Sequence, residues 1–110
     1  MYIEEPHELG QQEAIERIDS FLEALMERQP PGGVTIKNPT KRWDGNTMHF
    51  SFTAAKGFFG TTIRGLLRVE DDRVVMDSEL PGLVRSVVGE DRIREVISRE
   101  LGRLLGEPRG

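Results

Sequence analysis

Three consecutive stretches of this chain alternate apolar and polar residues with a period of two, and short turns separate them. Met48, Phe50, Phe52 and Ala54 alternate with His49, Ser51 and Thr53. Thr61, Ile63, Gly65, Leu67 and Val69 alternate with Thr62, Arg64, Arg68 and Glu70, and Val74, Met76, Ser78 and Leu80 complete the series. A period of two is that of a strand with one face buried. Asp44-Gly45 before the first stretch and Asp71-Asp72 before the last are hairpin-turn signals. The pattern therefore specifies an antiparallel meander.

The flanks supply what covers it. From Gln11 to Arg28 the period changes: Ala14, Ile15, Ile18, Phe21, Leu22, Leu25 and Met26 follow the spacing of one helical stripe. Pro30-Pro31-Gly32-Gly33 ends it. A second helix is predicted over 91–105, with Ile93, Val96, Ile97, Leu101, Leu104 and Leu105 on one side and Asp91 as its N-cap. Residues 2–8 read as a short edge strand stopped by Pro6. The expectation is one α+β domain over residues 1–110, in the order β-α-β-β-β-β-α. Its antiparallel sheet carries two helices packed on one face.

Val34 to Trp43 is the least regular strand, because Pro39 interrupts it. A two-residue Asp44-Gly45 turn puts Trp43 on the face of Met48 and Phe50, and the same register turns Val34 and Ile36 away from the core. An extra residue at Pro39, as in a bulge, restores both. The alternative is a three-residue turn through Asn46 that leaves Trp43 outside. The bulge is preferred because it buries the only tryptophan beside Phe50.

Composition narrows the function classes. The 110 residues carry a net charge of −4, which gives no general electrostatic reason to bind nucleic acid. There is no cysteine, so disulfide and thiolate chemistry are excluded. The start MYIEEPHELG lacks the features of a signal peptide, and no apolar run approaches a bilayer span. The expected setting is cytoplasmic, with no transmembrane segment.

Candidates for chemistry are few. His7 and His49 stand far apart and neither has metal-ligand spacing, and His49 falls on the polar side of its strand. Glu70, Asp71, Asp72, Asp77 and Glu79 lack a calcium-loop spacing, and Asp71-Asp72 has a sufficient task as a turn. Lys56-Gly57-Phe58-Phe59-Gly60-Thr61 is glycine-rich without the order of a phosphate loop. The expectation is a protein that is not an enzyme, with no catalytic residue, cofactor or metal.

That same stretch raises the sharpest question, since connections normally favour polar residues. Phe58 and Phe59 either fold back as a plug on the core or project from a hairpin tip rimmed by Lys56 and Arg64. Neighbouring residues on extended chain point to opposite sides, so one ring is expected inward and one outward. After Leu80-Pro81-Gly82, the apolar residues Leu83, Val84 and Val87 offer a second candidate surface.

The runs HELGQQEA, RWDGNTMHF, GTTIRGLLRVEDDRVVMDSELPGLV and RELGRLLG together resemble the polyhydroxyalkanoic acid system proteins, over residues 3 to 106. The most specific parts are Trp43-Asp44-Gly45 followed by Phe50, the glycines Gly60 and Gly65, and Glu79-Leu80-Pro81-Gly82-Leu83. The chain departs from the family in its Pro-Pro-Gly-Gly connection and in the Phe58-Phe59 tip. No catalytic residue comes with the resemblance. It implies an accessory role in storage-polyester metabolism, with the granule surface or a protein of that system as partner. Two other classes compete: a small hydrophobic-ligand carrier of reduced helix-grip type, and a simple homodimerisation module.

Overall fold

The structure, a computed structural model, describes residues 1–27, 33–79, 82 and 89–106. Five strands form one antiparallel sheet: β1 (Tyr2–Pro6), β2 (Thr35–Asp44), β3 (Thr47–Lys56), β4 (Phe59–Val69) and β5 (Arg73–Glu79). Their spatial order is β1-β5-β4-β3-β2, a four-stranded meander with the first strand added against the last. Among the described residues three helical segments accompany it: α1 (Gln11–Ile18), α2 (Phe21–Glu27) and α3 (Glu90–Gly106). Ala14, Ile18, Phe21, Leu22 and Leu25 join Ile97, Leu101 and Leu105 in one buried cluster with alternate residues of the strands. The helices therefore share one face of the sheet, and the α+β architecture is the one the alternation specifies.

One row of the buried face crosses all five strands. Ile3, Met76, Leu67, Met48 and Trp43 stand opposite one another in successive pairs. Met76, Leu67 and Met48 are fully buried, each contributing about 1.5–3 kcal/mol by removal from water. In the adjoining row Phe50 faces Gly65, and Gly65 faces Ser78. A Cβ on Gly65 would lie 2.7 Å from the Asp77 carbonyl oxygen, 2.8 Å from Ser78 Cβ and 2.9 Å from Phe50 Cζ. The missing side chain is what lets the Phe50 ring, stacked beside Phe52 at 6.0 Å, lie against the strand.

The bulge forms where expected. Lys37 pairs with Thr53 and Thr40 with Ser51, so Asn38 and Pro39 together oppose Phe52 alone. Asn38 takes a φ of 52°, a left-handed conformation that asparagine tolerates. Val34 and Ile36 are buried and Trp43 packs against the core. The neighbouring turn differs from expectation by one residue. Asp44 pairs with Thr47, so Gly45-Asn46 is the loop, with positive φ at Gly45 only. Only one of its central residues needs the left-handed region, and glycine supplies it.

The helix expected as one piece over 11–28 is two, and residue 28 lies outside the described residues. At the break, Ser20 Oγ donates to the Arg17 carbonyl at 2.9 Å, a local bond that competes with the helical ladder. Asp19 faces β2 there: its carboxylate accepts from Trp43 Nε1 at 2.7 Å. Met26, counted in the apolar stripe, is 42% exposed. Asp91 is not the cap of the last helix. It lies in the first turn beside Glu90, and Ile93 donates instead to the carbonyl of Gly89.

The start of α1 is fastened to the sheet by the β4–β5 turn. Gln11 N–H donates to Asp71 Oδ1 at 3.2 Å, and Gln11 Nε2 donates to the Val69 carbonyl at 3.1 Å. Asp71 thus caps a helix sixty residues away in sequence. Arg17 Nη1 reaches the Leu104 carbonyl at 3.0 Å and ties α1 to the end of α3.

Gly65→Ala should lower stability by roughly 1–3 kcal/mol through overpacking against fixed backbone. Adding Phe50→Leu relieves only the contact with the ring, so the double variant should not recover wild-type stability in chemical unfolding. Full recovery would show that the Asp77 carbonyl is not the obstacle.

Candidate functional site

The β3–β4 hairpin reaches past the end of β5 on one side, while on the other side β2 accompanies β3 as far as Ala55, opposite Thr35. Lys56 pairs with Phe59 across a two-residue loop of Gly57 and Phe58, with Gly57 at φ 61°. Positive φ at the first central residue only is the pattern of a type II′ turn. The last β5 residue, Glu79, stands opposite Arg64, so among the described residues 59–63 have no β5 partner. Five residues of strand project the tip about 17 Å beyond that point.

Burial fades along the ribbon. Phe52 and Ile63 are buried, Ala54 and Thr61 are half-buried, and Lys56 and Phe59 are exposed. Phe59 stands on the same face as the core, since the Lys56–Phe59 pair continues the row sequence of Ala54–Thr61 and Phe52–Ile63. It is nevertheless 57% exposed, and Phe58 is fully exposed. The expected division of one ring inward and one outward does not hold. Phe58 occupies the turn rather than a strand, and Phe59 lies past the end of the buried layer.

The turn itself does not ask for phenylalanine. The β2–β3 loop has the same form, with Gly45 also at φ 61°. Its second position holds Asn46, whose Nδ2 donates to the Val69 carbonyl at 2.8 Å. The tip places an exposed aromatic ring where the sister turn places a hydrogen-bonding amide. Leu83, Val84 and Val87, the other candidate surface, lie outside the described residues.

Several of the residues with acid–base capacity are engaged elsewhere. His7 is buried: its Nδ1 accepts from the Leu9 N–H at 3.2 Å, which assigns the ring proton to Nε2, 2.9 Å from the Glu70 carbonyl. It pins the connection after β1 against the β4–β5 turn, a role no sequence spacing announced. Glu70 bridges Arg68 at 3.0 Å and Arg73 at 3.2 Å. Arg73 also meets Glu4 at 2.6 Å, and that hydrogen bond holds the Glu4 carboxyl below its usual range. Among the described residues, no group of three or more His, Asp or Glu is arranged to hold a metal ion. None of their helices is long and apolar enough to cross a membrane.

A second polar cluster surrounds the α1–α2 break. Besides the Trp43 indole, Asp19 Oδ1 faces Lys41 Nζ at 3.1 Å, and Lys41 lies 3.4 Å from Glu23. The hydrogen bond from Trp43, then that from Lys41 and its charge, hold the Asp19 carboxyl below the ordinary aspartate range against a desolvation penalty. For Lys41, burial is the largest single influence and acts downward. The bonds and charges of Asp19 and Glu23 outweigh it, and its ammonium titrates above the usual range. Trp43 was expected to be largely buried and is half-buried. It stands on the edge strand, where its N–H meets a carboxylate that stays wet.

A family model described as "Putative polyhydroxyalkanoic acid system protein" matches residues 1–105. The chain belongs to that family. Searches of the curated proteins and of the solved structures return no match. The matched region holds the sheet, the hairpin tip and the helices up to residue 105.

Because Asp19 binds its proton less readily folded than unfolded, its contribution to stability is complete above the ordinary aspartate range. It is lost as the pH falls through the lower folded value. Trp43, the only tryptophan, reports on it. Its emission should show a native-state acid step below the ordinary aspartate range, and Asp19→Asn should abolish that step. An identical titration in the variant would rule out the indole–carboxylate bond as its source.

Proposed function

We propose that this chain is a non-enzymatic, single-domain accessory protein of the storage-polyester system. It works in the cytoplasm and attaches to polyester granules through the Phe58–Phe59 tip. The family assignment supports the system. The observation that carries the attachment is the fully exposed Phe58 at the end of a projecting ribbon, in a turn whose geometry is met equally well by a polar residue. An exposed aromatic pair on a support of paired strands, with β2 alongside as far as Ala55, presents apolar area at little loss of freedom on contact. A polyester surface offers ester carbonyls and hydrocarbon without the defined pockets that a shape-matched protein interface needs.

The role asks for no turnover. The buried histidine is committed to backbone partners on both ring nitrogens, and the acidic residues of the β4–β5 region hold a turn, a helix start and two arginines.

The test is cosedimentation with isolated polyester granules. Wild-type protein should pellet with them, and Phe58→Ala should leave unfolding stability within about 0.5 kcal/mol while weakening attachment at least tenfold. Phe59→Ala should act in the same direction with a smaller effect, since part of that ring is already covered. Undiminished pelleting of the double variant would remove the tip from the account.

A further inference from the structure

Charge is divided unevenly along this chain. Residues 33–69, which hold β2, β3 and β4, carry six of the 15 Lys and Arg but one of the 19 Asp and Glu. That acid, Asp44, sits at the far end of the β3 strand from the tip, paired with Thr47. From Gly45 to Val69, the whole hairpin, there is no acidic residue at all. The net charge of −4 hides a positive ribbon on a negative body.

The cations are staged behind the rings. Lys56 stands directly opposite Phe59 and is exposed. Lys37, opposite Thr53 and also exposed, follows three residues back along the ribbon, about 10 Å. Arg64, opposite Ser51, is five residues back, about 17 Å. Rings that enter an apolar layer by roughly 5–10 Å bring Lys56 to its surface. Lys37 then lies within the screening length of about 8–10 Å, and Arg64 stays outside it.

The geometry points to an anionic lipid layer as the surface this tip enters: Phe58 and Phe59 insert among the acyl chains while Lys56 and Lys37 meet the acidic headgroups. The inference rests on the reading of the tip as an attachment device and specifies the partner by its charge. Single-stranded nucleic acid also recruits rings and cations, but it does so with rings spaced along a groove that tracks the strand. Here two adjacent rings close one turn, and the cations stand behind them.

The experiment is sedimentation of the full chain with vesicles of phosphatidylcholine alone, and with vesicles containing about one-third phosphatidylglycerol. Lipid-free polyester particles and a single-stranded oligonucleotide are the comparison surfaces. Binding should be confined to the acidic vesicles among the two lipid mixtures and should weaken steeply with added salt. Lys56→Gln and Lys37→Gln should each weaken it about fivefold, and Phe58→Ala at least tenfold, with circular dichroism and thermal unfolding unchanged. Arg64→Gln should change it less than either lysine. Equal binding to both vesicle types overturns the role of charge, and acidic-vesicle binding that survives Phe58→Ala overturns insertion. Binding to lipid-free polyester with none to acidic vesicles overturns the lipid inference while leaving granule attachment intact. Preference for the oligonucleotide over every vesicle overturns it too. Acidic-vesicle binding sensitive to both Phe58 and Lys56 supports it, even where isolated granules fail to bind.

Discussion

Between Lys37 and Thr40, β2 carries one residue more than the stretch of β3 it pairs with, and that residue decides which side chains of the edge strand meet the helices. A strand has a period of two, so with Trp43 facing inward an unbroken register sends Val34 and Ile36 to solvent. The bulge at Asn38-Pro39 lets all three reach the helix-bearing face. Proline suits that position because it has no N–H to leave unpaired. The consequence runs beyond packing. Lys41 and Trp43 now face the junction of α1 and α2, and Asp19 receives both. The helix break and the edge strand are thus joined through Asp19, which meets both the Trp43 indole and the Lys41 ammonium.

How much of this was legible depended on whether the signal was local. The alternation in β3, β4 and β5 is a property of single strands and predicted them closely, as it did the bulge, where the parity of Trp43 against Ile36 left one economical solution. The helix break had a written sign: Asp19-Ser20 with Glu23 three residues on has the composition of a helix start inside the stripe. The stripe outweighed it because Phe21, Leu22 and Leu25 keep the apolar spacing through the break. The roles of His7 and Asp71 were not legible, since their partners, Glu70 and Gln11, lie 63 and 60 residues away. The fate of the rings turned on a different quantity, how far the helical layer extends over the sheet, which no periodicity records.

The division of charge also follows from the fold. The helices and β1 supply more than half of the acids, and the pairing of β2 with β3 and of β3 with β4 gathers six of the 15 Lys and Arg into one ribbon. Lys41 is the cation in that ribbon drawn inward, held by Asp19 and Glu23 from the acidic side. The two poles are thus joined at the base of the ribbon, near the helix break. Toward the tip the hairpin itself holds no acid.

An exposed pair of phenylalanines at the end of a ribbon whose β4 edge has no strand partner among the described residues over 59–63 is a hazard in itself, since apolar tips and free edges pair with their own kind. The sister turn shows that the backbone makes no demand for it: Asn46 fills the equivalent place and binds back to the sheet. Lys56 is set beside Phe59 at the tip, so two copies meeting tip to tip would bring like charges together. In the proposed attachment the same cation faces a surface of opposite charge. A purely apolar tip would gain nothing from an acid-free hairpin, and a purely electrostatic one would gain nothing from Phe58. On the proposed reading, their combination suits a partner that is charged outside and apolar beneath, and against any other surface one half of the device works at a loss.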